Sequence, residues 1–91
     1  MAASTISQET EILSRVIAPE NPDFSSEAAR SILALRFSNS DNERMNFLAA
    51  KARQGSLDEH EESQLNAYLL VGSLVDLMHS KARLSLKKSS A

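Results

Sequence analysis

The sequence has no cysteine, no tryptophan, and only two glycines and two prolines in 91 residues. Without cysteine, the chain can form neither a disulfide bond nor a thiolate metal site. So few glycines and prolines leave little material for the many tight turns of a β-sandwich or barrel. The apolar residues are mostly Leu, Ile, Val and Ala, and together with Glu, Lys, Arg and Gln they favour helices. The composition therefore predicts an all-α protein.

Three further absences bear on location and on broad function. The longest unbroken apolar run, Ala67 to Val71, is far short of the roughly 20 residues of a membrane span. The start of the chain has no basic segment followed by an apolar one, so no signal peptide is expected. The net charge of −2 gives no general attraction to nucleic acid. These features predict a single cytoplasmic domain that can bury only one modest core.

The chain opens with an amphipathic segment that is followed by two prolines. The segment is predicted to be a helix over residues 7–18, because apolar side chains recur at i, i+3 and i+4, and residues 1–6 are expected to fray. Pro19 ends the helix and Pro22 prevents an early restart. The sequence leaves open whether this helix docks on the rest of the chain or on a partner. The predicted parts are an N-terminal helix and linker over residues 1–24, a helical domain over 25–88 and a tail over 89–91.

Serine and glycine residues mark the ends of the next two helices, which together are predicted to form a helical hairpin. The second helix is expected to begin at Ser25 or Ser26, either of which can act as N-cap, and to stop near Phe37. The segment Ser40–Glu43 fits the Ser-x-x-Glu capping box, so the third helix is expected to start there. Gly55 is placed to adopt the left-handed conformation that ends a helix.

One long helix is expected from Asp58 to about Leu86, and it dominates the prediction. Asp58 and Glu61 fit a second capping box, and acidic residues at the start and basic residues at the end complement the helix dipole. Its apolar side chains cover roughly half of the circumference, more than the ~100° stripe of an ordinary surface helix. We therefore expect its C-terminal half, residues 74–86, to lack cover within the monomer. The alternative is that the N-terminal helix folds back over this half.

The exposed part of this long helix is the predicted interaction surface. A second copy or a different protein would bind it by helix-in-groove contact, with Lys81 and Arg83 supplying complementary charge at the rim. Gly72 lies mid-helix, where glycine costs ~1 kcal/mol relative to alanine; we interpret it as permitting close approach of another helix, the alternative being a tolerated defect. The predicted partner-binding residues are Leu70, Leu74, Leu77, Met78, Lys81, Arg83 and Leu84.

No group of residues in the sequence predicts catalysis, a cofactor or a metal. His60 and His79 lie about 28 Å apart along a straight helix, so they cannot share a metal within one chain. The acidic residues 58–62 lack the spacing of a calcium loop, and helix capping explains them. A glycine-rich phosphate loop and a Gly-x-Ser-x-Gly elbow are both absent. The sequence therefore predicts a protein that is not an enzyme, with a helical enzyme or enzyme subunit as the third alternative.

The basic end of the chain suggests the second function. Lys81, Arg83, Lys87 and Lys88 form a patch that dimerisation would double, which is enough for non-specific phosphate contacts. Complementation of the helix dipole is the simpler explanation of these residues. The alternative prediction is accordingly a dimeric nucleic-acid-binding accessory protein that uses this basic end.

Three segments resemble a group of small, uncharacterised bacterial helical proteins. The segments run from Ala29 to Ser38, from Met45 to Leu57 and from Tyr68 to Leu86. The resemblance is one of pattern and contains no catalytic motif. Small helical bacterial proteins of this type are often the protective member of a two-gene toxin or nuclease module, an analogy at the level of the fold. It implies a protein-binding or oligomerisation module that is antitoxin-like or immunity-like.

Overall fold

The computed structural model describes the backbone of residues 2–90 and the side chains of residues 8–89. Within that range the chain forms α-helices and no β-strand, so the predicted all-α class is confirmed. No helix in the range is both long and apolar enough to cross a membrane. The helices, in chain order, are α1 (Ala2–Ile17), α2 (Ser26–Leu33), α3 (Asn39–Arg53) and α4 (Glu59–Ser90).

Helix α4 is the axis on which the other three helices pack. Its 32 residues span about 48 Å, which matches the 50 Å long dimension of the molecule. Helices α1, α2 and α3 each contact α4, and in the described range they do not pack against one another. The predicted helical hairpin is therefore wrong as a packed pair, because α2 and α3 lie towards opposite ends of α4.

The direction of each helix follows from its contacts with α4. The segment that contains α2 and α3 runs antiparallel to α4: Ser26 lies at Ser89 and Lys51 lies at Glu61. Helix α1 runs parallel to α4, because Glu9 lines the same groove as Leu70 while the carbonyl of Ile17 contacts Lys81. The linker then passes the C-terminal end of α4 and turns the chain back.

The N-terminal helix docks on α4, which answers a question that the sequence leaves open. Lys81 Nζ donates a hydrogen bond to the carbonyl oxygen of Ile17 over 2.7 Å. Ser85 Oγ accepts a hydrogen bond from the backbone N–H of Phe24 over 3.2 Å, and both Ser85 and its neighbour Ala82 are buried. The expectation that the C-terminal half of α4 lacks cover is therefore wrong around Lys81, Ala82 and Ser85, where α1, the linker and α2 cover it, while Leu84 stays 41 % exposed.

Both ends of α1 can be explained from local sequence. The helix begins at Ala2 rather than at residue 7, because residues 2–6 include strong helix formers and no proline or glycine; Met1 lies outside the described residues. It ends at Ile17, since the residue before a proline is disfavoured in the α-helical conformation. Ala18 takes a φ of +49°, the left-handed conformation in which helices commonly end, and turns the chain into the linker.

The junction between α2 and α3 differs from the prediction. Helix α2 ends at Leu33 rather than near Phe37, and residues 35–38 are not helical. This lets the Phe37 ring reach Tyr68 on α4 in an edge-to-face contact with 5.9 Å between centroids. Ser38, not Ser40, caps α3: its Oγ accepts the N–H of Asp41 over 3.1 Å. The predicted capping box at residues 40–43 is therefore wrong, because the chain becomes helical two residues earlier.

The junction between α3 and α4 confirms the two predicted signals. Gly55 has a φ of +69°, and the N–H groups of Gly55 and Ser56 each donate over 3.0 Å to carbonyls in the last turn of α3, as in a Schellman motif. At the start of α4, Glu61 N–H donates to Asp58 Oδ1 over 2.8 Å and Asp58 N–H donates to Glu61 Oε1 over 3.1 Å. This reciprocal pair is the predicted capping box.

The core of the molecule is thin. Among the described residues, the buried apolar side chains are Ala29, Leu48 and Ala82. The shortest dimension is 16 Å, and α1, α2 and α3 pack on α4 but not, among the described residues, on one another. The radius of gyration is 15.6 Å, against about 12 Å for a compact chain of this length. The helices thus form a single layer, which leaves much apolar surface in contact with solvent.

Candidate interaction surface

An apolar groove of about 350 Å³ separates part of α1 from α4. Because the two helices run parallel, the second and third turns of α1 face the middle of α4. Lining positions on each helix recur three or four residues apart, so each helix presents one stripe to the groove. The residues that line it are Glu9, Ile12 and Leu13 from α1, and Leu70, Val71 and Leu74 from α4.

Several apolar side chains at and beside the groove are exposed. Ile12 is 50 % exposed and Val71 is 43 % exposed, so each side chain is only partly covered by the groove. Val16 lies one turn after Ile12 and is 76 % exposed. We call the groove together with Val16 the α1–α4 surface.

The total accessible area shows how much surface this single layer leaves open. The chain exposes 6285 Å², whereas a compact monomer of 10.0 kDa is expected to expose about 5,200 Å². The excess is therefore on the order of 1,000 Å². One partner in a standard protein–protein interface buries about 800 Å², so the excess is of the size that a partner covers.

The structure separates the predicted partner-binding residues into several environments. Leu70 and Leu74 line the α1–α4 groove, while Leu77 and Met78 are half-buried. Arg83 is exposed, and Leu84 is 41 % exposed. The prediction thus includes two groove residues from α4. It misses Ile12, Leu13 and Val16, although Leu13 and Val16 belong to the apolar pattern that predicts α1.

Lys81 is not at an exposed rim, so the role predicted for it is wrong. The side chain is buried, with Nζ 2.7 Å from the carbonyl oxygen of Ile17 and 2.9 Å from Oδ1 of Asp23. Nζ also lies 4.9 Å from the centroid of the Phe24 ring. The hydrogen bond from Lys81 is the main reason why the pKa of Asp23 is lowered from its ordinary value. Lys81 therefore ties α1 and the linker to α4.

Because Lys81 is buried and paired with Asp23, the basic patch at the C-terminal end is smaller than the sequence predicts. The predicted patch loses this cation to Asp23, and Arg83, Lys87 and Lys88 remain exposed. A smaller patch makes fewer phosphate contacts, and each contact contributes to salt-dependent binding of nucleic acid. The structure accordingly gives less support to a phosphate-binding end than the sequence does.

Polar contacts hold α3 on the first turns of α4. Lys51 Nζ donates to both carboxylate oxygens of Glu61 over 2.8 Å, and Arg44 donates to Gln64 over 2.9 Å. The hydrogen bond from Lys51, followed by that from the Asp58 N–H, lowers the pKa of Glu61. Glu61 is buried by these contacts. The acidic group at the start of α4 thus includes a carboxylate with a structural role.

A second cleft, of about 450 Å³, lies between the α2–α3 junction and α4. Its walls are of mixed polarity and include Arg36, Asp76 and His79. The Nε2 atom of His79 is buried and has no hydrogen-bond partner in the described part of the chain. A Cβ added to Gly72 in this cleft would lie 3.9 Å from the Phe37 ring, and no other described residue outside the local backbone of α4 comes within 4 Å of it. Close helix approach within the chain therefore does not explain this glycine.

The two histidines lie apart in the structure, and the described acidic side chains do not group around either of them to form a metal site. His60 is exposed in the first turn of α4, far from His79. Across residues 8–89, no three histidine or acidic side chains are grouped so that they could hold a metal ion. The α1–α4 groove is smaller than the second cleft, but its lining is apolar apart from Glu9.

Comparisons with protein-family models, with curated proteins and with solved structures give no match for this chain. The resemblance to small bacterial helical proteins therefore stays a prediction.

Proposed function

We propose that this protein is a non-enzymatic helical module that binds protein through the α1–α4 surface. The observation that carries the proposal is the apolar groove between α1 and α4, beside which the side chains of Ile12, Val16 and Val71 are exposed. The accessible area of the whole chain also exceeds that of a compact monomer of this mass by about 1,000 Å².

The chemistry of the groove favours a protein partner over nucleic acid or a polar ligand. The lining is apolar apart from Glu9, which lies at one end. No cation lines the groove within residues 8–89, and a carboxylate repels phosphate, so these residues offer nucleic acid no phosphate contact. An amphipathic helix that presents Leu, Ile or Val at i, i+3 and i+4 matches the groove in polarity and in spacing.

The proposed binding function is compatible with the antitoxin-like or immunity-like role that the resemblance implies. A small helical protein with one open apolar groove suits the antitoxin-like or immunity-like member of a bacterial two-gene module. Such a protein acts by covering its partner, so it needs an interaction surface and no catalytic residues. Oligomerisation through the same surface is the other form of this function.

Site-specific photocrosslinking tests the proposal in the native host. p-Benzoylphenylalanine is placed at position 12, in the groove, and at position 35 as the matched control, because Ile12 and Leu35 are 50 % and 47 % exposed. We expect position 12 to give a discrete crosslinked product whose second component is identified by mass spectrometry. The same product should then form from purified components.

Introducing Val16→Glu alongside the crosslinker at position 12 provides the second arm of this test. Val16 is mostly exposed, so the variant should fold normally while a charge now sits in the contact surface. We expect the crosslinked product to disappear. A product that forms equally from positions 12 and 35, or no product at either position, contradicts the proposal.

Salt dependence separates this proposal from the nucleic-acid alternative. Binding through the basic end would weaken steeply with salt and with loss of Lys87 and Lys88, both of which are exposed. Binding through the apolar groove should change little between low and moderate salt. Electrophoretic mobility shift with duplex DNA and with RNA, for the parent chain and for a Lys87→Ala, Lys88→Ala variant, distinguishes the two.

A further inference from the structure

We infer that the occupant of the α1–α4 surface is a second copy of this chain, docked about a two-fold axis with its α1 antiparallel to the first. The inference rests on the proposed function and names the partner. In the resulting dimer, α1 and α4 of both copies form a four-helix arrangement. Each groove is then closed by the α1 helix of the other copy.

The thickness of the molecule and the size of the exposed area both fit this arrangement. Protein domains are built from two or more packed layers of secondary structure, whereas this chain is a single layer 16 Å thick. A second copy supplies the missing layer. The excess of about 1,000 Å² is close to the ~800 Å² that each partner buries in a standard interface.

The α1–α4 surface is also complementary to itself in shape. Ile12 and Val16 lie one turn apart on α1 and form an exposed ridge, and Ile12 also lines one wall of the groove. A two-fold axis places the ridge of each copy against the groove of the other, because both halves of such an interface are the same patch. The packing of helix ridges into grooves is the ordinary way in which helices associate.

Two charged residues on α1 fit the same symmetry. Glu11 and Arg15 are both exposed and lie four residues apart, so they share one flank of the helix. When two α1 helices run antiparallel about a point near residue 13, Glu11 of one copy faces Arg15 of the partner subunit, and the pair occurs twice. Exposed ion pairs contribute little affinity each, but they select the antiparallel register and the partner.

Sedimentation equilibrium over a range of concentrations tests the inference with the full chain. We expect the parent chain to have the mass of a dimer. Val16→Glu should raise the dimer dissociation constant about 100-fold or more, because the symmetry buries two carboxylates in apolar contacts. The helical circular dichroism signal should stay the same, since Val16 is exposed in the monomer. Leu35→Glu, at a residue of similar exposure to Ile12 but in the second cleft, should remain dimeric.

Charge reversal tests the antiparallel register independently of the apolar contacts. Glu11→Arg and Arg15→Glu should each weaken the homodimer, because every cross-axis pair becomes repulsive. Mixing the two variants should give heterodimers in preference to either homodimer, as native mass spectrometry would show. The chain that carries both substitutions should dimerise as the parent does, since the pairs are restored in the opposite sense.

Several outcomes would overturn the inference, and they differ from those that overturn the proposed function. A chain that is monomeric at all concentrations contradicts the two-fold dimer. The proposed function is still supported in that case if position 12 crosslinks to a different, identified protein. A dimer that withstands Val16→Glu and dissociates with Leu35→Glu contradicts both, because association then uses another surface. A dimer that dissociates with Val16→Glu but is unaffected by the charge reversals contradicts the antiparallel register.

Discussion

At the scale of single residues, short-range hydrogen bonds and backbone conformation set where each helix begins and ends. Ser38 Oγ accepts the N–H of Asp41 at the start of α3, and Gly55 takes a φ of +69° at its end. Asp58 and Glu61 satisfy each other's backbone N–H groups at the start of α4. Each device acts over three or four residues, which is why most of them can be recognised in the sequence.

The two glycines give opposite predictions for the same substitution. Gly72→Ala should raise the free energy of unfolding by about 1 kcal/mol, because alanine is the better helix former and the new Cβ meets only the Phe37 ring at 3.9 Å. Gly55→Ala should lower it by about 1 kcal/mol, since a side chain disfavours the positive φ. Urea denaturation of both variants checks the pair. Loss of stability in Gly72→Ala would instead indicate that another chain approaches this glycine.

At the scale of whole elements, the position of α1 depends on one buried cation. Lys81 is the residue of α4 that holds the C-terminal end of α1, through the carbonyl of Ile17, and the linker, through the carboxylate of Asp23. The parallel course of α1 beside α4 opens the groove between them, so the contact at Lys81 also positions the candidate surface. Sequence reasoning assigns this lysine to a basic end because its acceptors are far away in the chain.

Removal of this cation should loosen α1 without unfolding the molecule. Lys81→Met keeps most of the side-chain volume but removes the charged hydrogen bond to Ile17, at a cost of about 2 kcal/mol. Hydrogen exchange should show loss of protection in α1 before α2 or α3. The matched control is Lys87→Met, at an exposed position of the same helix, which should leave exchange unchanged. Equal protection of α1 in both variants would contradict the role given to Lys81.

At the scale of the whole molecule, stability depends on polar contacts as well as on the thin core. The pKa of Glu61 lies below its ordinary value of 4.5 because of Lys51, and that of Asp23 lies below 3.8 because of Lys81. The pKa of Tyr68 lies above 10.0, chiefly because its hydroxyl donates to Asp41 over 2.7 Å. The contacts of these groups join α3 and the linker to α4, so titration of each group changes the stability of the folded chain.

The directions of these pKa shifts predict the dependence of stability on pH. The contributions of Glu61 and Asp23 are complete above the pKa values of the unfolded chain and are lost as the pH falls through the lower folded values. The contribution of Tyr68 is complete below pH 10.0 and is lost as the pH rises through its higher folded pKa. We expect the melting temperature to fall below about pH 4 and again above about pH 10.

Glu61→Gln is the control for the acid side of this profile. The variant lacks the titrating carboxylate, so its melting temperature should be lower than that of the parent at neutral pH and should fall less steeply below pH 4. Melting followed by circular dichroism at fixed protein concentration measures both. An acid limb as steep as that of the parent would show that Glu61 does not contribute to it.

Local sequence was enough for the all-α class, the capping box at Asp58, the stop at Gly55 and the turn at Pro19. Each depends on interactions between residues a few positions apart, so the pattern carries the information. The same reasoning was less accurate at α2 and α3, where Ser38 and Ser40 are both capable of capping and Phe37 leaves the helical pattern to reach Tyr68. There the competition between nearby signals is decided by contact with α4.

The tertiary structure was needed to show which part of the long helix lies open. The width of its apolar side indicates that cover is required, but it does not say which element supplies it. Which element covers α4 depends on the contact between Lys81 and Ile17, 64 residues apart in the chain. It also depends on the linker, which determines which side of α1 packs against α4. Packing energies join residues distant in sequence, so the groove between α1 and α4 is a property of the folded arrangement and not of either helix.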